Sequence, residues 1–89
     1  MYILTLEGRE EQGAYSVTNQ NGQQILYLFE EEDDAVRFAM MLEEDDYPPL
    51  VVVEIEDDLI IKTCEVNRYD YAIITANDIV IPPEKNDII

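Results

Sequence analysis

Carboxylates, a single thiol and a set of phenols are the side chains with chemistry to offer in this 89-residue chain. Asp and Glu number 21 against five Lys and Arg, there are six tyrosines and one cysteine, Cys64, and histidine is absent. The missing histidine removes the usual general base near neutral pH, the commonest zinc ligand and the ordinary partner of a serine or cysteine nucleophile. Most hydrolase mechanisms fall with it. Cys64 has Lys62 two residues before it and Glu65 directly after it, which is not the electropositive setting that activates a thiol. It reads as a core residue on a helix. Three scattered glycines make neither a phosphate-binding loop nor a dinucleotide fingerprint. The expectation is a protein that is not an enzyme and needs no cofactor.

The acids fall in runs at residues 30–34, 43–46 and 57–58. Such runs are hard oxygen ligands that suit calcium or magnesium, but the EF-hand spacing with its central glycine is missing. The plainer reading is a set of solvated faces with loosely held counterions. A glycosidase would need one carboxyl of raised pKa inside a cleft, and a chain this short leaves little room for one. A net charge of −16 excludes most nucleic-acid binders, whose affinity comes from Lys and Arg on phosphates. Carboxylates standing in for phosphates, as in a nucleic-acid mimic, are a subordinate variant. Glu43, Glu44, Asp45 and Asp46 gather where the end of a helix is expected, at the negative pole of its dipole, and so break a local rule. Positions that break local rules are often functional, and tyrosine joins apolar area to a polar tip. Glu43, Glu44, Asp45, Asp46 and Tyr47 are therefore the candidate partner-binding surface.

The elements that must position these residues follow from periodicity. Residues 1–6 alternate as a strand, with Tyr2, Leu4 and Leu6 on one face and Ile3 and Thr5 on the other. Residues 14–18 and 23–29 read as two more strands. Asn21-Gly22 between them accepts the positive φ angles of a type I′ turn and predicts a hairpin. Ile25, Tyr27 and Phe29 share one face of the third strand and Leu26 and Leu28 the other, so this strand is central or covered on both sides. Ala35, Phe38, Ala39 and Leu42 make one helical stripe, predicting a helix over 31–45 with an Asp33–Arg37 ion pair. Tyr47-Pro48-Pro49 stops it. Residues 50–55 are a β-branched strand, buried on both faces near its start. Asp57 and Asp58 cap a second helix through residue 67, with Leu59, Ile60, Thr63, Cys64 and Val66 as its apolar side. Residues 71–76 form a strand, 79–81 extend the sheet, and the tail frays.

The order predicts an α+β fold, a ferredoxin-like two-layer sandwich with an added β-hairpin and both helices on one face of a mainly antiparallel sheet. One domain covers 1–84, with a short frayed tail over 85–89. No apolar run approaches the roughly 20 residues of a membrane span. The start of the chain lacks the basic residues of a signal peptide, and a lone cysteine suits a reducing compartment, so a cytoplasmic protein is expected.

Phe29-Glu30, Asp33-Asp34-Ala35, Arg37-Phe38-Ala39, Leu42-Glu43 and Pro48, with Pro82-Pro83-Glu84 and Asn86, resemble a family of small proteins of unknown function from cyanobacteria and plastids. The resemblance implies a photosynthetic source and a cytoplasmic or stromal setting, and it implies no catalytic or ligand set. The expected function is a non-enzymatic interaction or regulatory module for a protein partner with a basic surface. The alternatives are a calcium or magnesium domain and a small-ligand domain. Homodimer formation stays open: an exposed sheet edge pairs with copies of itself, while the charge of −16 opposes close approach at low salt.

Overall fold

The computed structural model describes residues 1–9, 13–76 and 86–88, the last as backbone. The elements are β1 (Tyr2–Leu6), β2 (Tyr15–Thr18), β3 (Gln24–Phe29), α1 (Glu32–Glu44), β4 (Leu50–Glu54), α2 (Asp57–Asn67), β5 (Asp70–Ile74) and β6 (Asn86–Ile88). The strand expected at 79–81 lies outside the described residues. β6 pairs with β2 inside the stretch expected to fray.

The strands form one mainly antiparallel sheet in the order β4-β1-β3-β2-β6, with β5 added in parallel to β3. β3 is the hub. β5 holds one of its edges from Ile25 to Phe29. A strand has two edges, so β2 and β1 divide the other, with Ser16 opposite Leu26 and Tyr2 opposite Phe29. The expected central position of this strand is therefore found. β4 pairs only with β1 among the described residues, and its side chains Leu50 to Val53 are half-buried rather than buried on both faces.

The α+β class stands, but the helices do not share a face. Leu4, Tyr15, Val17 and Phe29 pack with Ala35, Phe38, Ala39 and Leu42 of α1. Their strand neighbours Ile3, Leu26 and Leu28 pack instead with Ile60 and Cys64 of α2. Successive strand residues point to opposite faces, so the sheet lies between its two helices. The cause is chain path. β3 and β4 are each antiparallel to β1, and β5 is parallel to β3, so all three run the same way. α1 carries the chain from β3 past β1 to β4, and α2 carries it back across the sheet to β5. A right-handed crossover sends helices to opposite faces when the two moves run in opposite directions. This departs from the ferredoxin-like two-layer expectation.

α1 forms where its stripe predicts, and all four stripe residues are buried. Glu32, Asp33 and Asp34 fill its first turn and complement the positive end of the dipole. Arg37 pairs with Asp34 at 3.1 Å, three residues away, rather than with Asp33. In α2 only Ile60 and Cys64 of the expected apolar side are buried, while Leu59 and Val66 are exposed, and Glu56 rather than Asp57 or Asp58 occupies the N-cap position. The hairpin forms with a different turn. The Gly22 amide donates to the Asn19 carbonyl at 3.1 Å, and Gly22 alone in the loop has positive φ, 81°. This is a three-residue connection, a type I turn followed by a left-handed glycine. The Asn19 side chain locks it by accepting the amides of Asn21 and Gln23 at 2.9 Å.

Candidate functional site

The carboxyl end of α1 is built by a Schellman motif. The Tyr47 amide donates to the Leu42 carbonyl at 3.0 Å and the Asp46 amide to the Glu43 carbonyl at 3.1 Å, the 6→1 and 5→2 bonds that define it. Asp46 takes the left-handed position, φ 66°, which glycine usually fills. Tyr47 follows it onto the core, packed against the cluster that contains Leu42, with its ring edge-on to Tyr15 at 5.8 Å. Glu43, Glu44, Asp45 and Asp46 are all exposed, and the last turn of α1 holds no basic residue. The motif thus splays four carboxylates into solvent around a helix end that is already negative. Of the five candidates, Glu43, Glu44, Asp45 and Asp46 form the surface, while Tyr47 is half-buried and anchors it.

The acidic runs do not converge. Residues 30–34 and 43–46 flank a 13-residue helix, about 20 Å long at 1.5 Å per residue. Asp57 and Asp58 begin α2, on the other face of the sheet. Among the described residues, no group of three acids or cysteines lies close enough to hold a metal ion. Only Asp34 and Asp57 hold ion pairs there, with Arg37 and with the Met1 ammonium. No helix among the described residues is long and apolar enough to cross a membrane.

Cys64 is fully buried, and burial, reinforced by Glu65, raises its thiol pKa, so it stays neutral and unreactive. Arg68, at φ 58°, and Tyr69 close α2 with a second Schellman motif, since the Tyr69 amide donates to the Cys64 carbonyl at 2.8 Å. Tyr69 and Tyr71 are exposed. Tyr2 donates to Glu54 at 3.3 Å, and the Glu54 charge chiefly raises its pKa.

Three buried polar atoms have no hydrogen-bond partner among the described residues: Thr5 Oγ1, Tyr15 Oη and Asp34 Oδ2. Sequence reasoning missed the first, because threonine is an ordinary β-former whose burial depends on which helix covers its face. No curated protein and no solved structure matches the chain. A family match covers residues 1–84, and the chain belongs to DUF3110, a family of domains of unknown function.

Proposed function

We propose that this domain is a non-enzymatic interaction module whose acidic exterior engages a protein partner with a basic surface. The observation that carries this reading is the carboxyl end of α1, where Glu43, Glu44, Asp45 and Asp46 stand exposed beside a negative helix pole whose last turn holds no basic residue. Local stability argues against that arrangement, so a role in recognition accounts for it. A basic partner would be steered by the field of the whole chain, at −16, and polyanions repelled. A cytoplasmic setting belongs to this reading, supported by the single cysteine, and a cyanobacterial or plastid source rests on the resemblance alone.

The test compares the wild-type chain with the Glu43→Gln, Asp46→Asn double variant in affinity capture from native lysate. Capture at low salt, where the screening length is about 30 Å, should weaken at 0.15 M salt, where it is about 8 Å. The double variant should gain stability and lose that partner. A variant that is more stable yet captures the same proteins in the same amounts refutes the reading.

A further inference from the structure

Between α2 and the sheet lies a partly open hollow of about 380 Å³, within the roughly 300–1,000 Å³ range of small-molecule sites. Ile3, Thr5, Ala14, Leu26, Ile60 and Cys64 are among the residues that line it, and among the described residues no charged side chain does so. Beside the second core cluster, the described residues leave room there for a small molecule. Its back wall holds an unmet polar group. Thr5 is only 2 % exposed and its hydroxyl has no partner among the described residues, a desolvation cost that a bonded ligand would remove. Rotation about χ1 moves that hydroxyl among the three staggered positions on Cβ.

We propose that this hollow binds a small, neutral, largely apolar molecule carrying one hydrogen-bonding oxygen, which pairs with Thr5. The lining selects the class. Among the described residues, a carboxylate or phosphate would meet no cation in the wall, inside a chain that repels anions, and an amine would meet no carboxylate there. The inference is independent of the acidic end of α1, which lies on the opposite face.

The test titrates the full chain with three probes: 1-naphthol, naphthalene and 1-naphthoate. The chain has no tryptophan, so naphthyl emission reports binding directly. Naphthol should bind saturably and about two- to tenfold more tightly than naphthalene, the value of one net hydrogen bond, and naphthoate should not bind. Methyl resonances of Ile3, Leu26 and Ile60 should shift, and those of Ala35 and Ala39 should stay. Thr5→Val should erase the preference for naphthol and keep the affinity for naphthalene. Ala14→Phe should fill the hollow and abolish both. Absence of saturable binding, equal binding of naphthoate, shifts confined to the α1 face, or a preference that survives Thr5→Val would each overturn the proposal.

Discussion

Replacing Asp46 separates charge from backbone conformation at one position. Its φ of 66° costs an ordinary L-residue about 1–2 kcal/mol, and aspartate sits at the low end because it tolerates this region. Its carboxylate lies just past the negative pole of α1, which costs about a further 0.3–1 kcal/mol at low salt. Asp46→Asn removes the charge and keeps a side chain that tolerates the left-handed region, so stability should rise by about 0.3–1 kcal/mol. Asp46→Gly also removes the Cβ, gaining about 1 kcal/mol, but loosens the unfolded chain by about 0.5–1 kcal/mol. The net expected gain is about 0.3–1.5 kcal/mol. In a domain of this size 1 kcal/mol moves Tm by about 4–8 °C, so both changes are measurable by thermal and urea unfolding followed by circular dichroism. The charge contribution should fade as salt approaches 1 M, where screening acts within about 3 Å, and the glycine contribution should persist. Loss of stability in Asp46→Asn, or a gain unaffected by salt, would show that the carboxylate is held by a favourable contact and that the dipole argument is wrong.

Phe38, 2 % exposed and in ring contact with Tyr15, Tyr27 and Phe29, should cost about 3–5 kcal/mol on truncation to Ala; urea midpoints check this, and a loss under 1 kcal/mol would place α1 elsewhere. Thr5→Val should raise stability by about 1 kcal/mol by deleting an unpaired buried hydroxyl, and a comparable loss would mean that the hydroxyl is bonded. Burial raises the pKa of Tyr15, of Tyr27 and of Cys64, so the folded state keeps these protons longer than the unfolded state. Stability from these groups is therefore complete at neutral pH and falls as pH rises past about 8.5 for the thiol and about 10 for the phenols. Unfolding measured from pH 8 to about 11 should show that decline, and Tyr15→Phe should flatten it; an unchanged slope would exclude Tyr15 as its source.

Much of the fold was legible because it is local. The stripe of Ala35, Phe38, Ala39 and Leu42 predicts α1 to within a residue at each end, since helix periodicity and the Pro48-Pro49 stop need no distant partner. The double apolar face of β3 correctly signalled cover on both sides. The candidate acids were legible too, because exposure of a charge run is the default. What the sequence hid depends on partners. Thr5 and Ile3 share a face whose cover is set by the path of α2, and the hollow beside Thr5 exists only because three elements far apart in sequence meet there.

The order of apolar and polar residues determined the helices, most strands and the acidic exterior, because each is decided within a few residues of chain. The tertiary structure decided strand order, the assignment of one helix to each face and the left-handed turns at Asp46 and Arg68. Crossover handedness and side-chain burial act between distant segments, and no local pattern records where those segments meet.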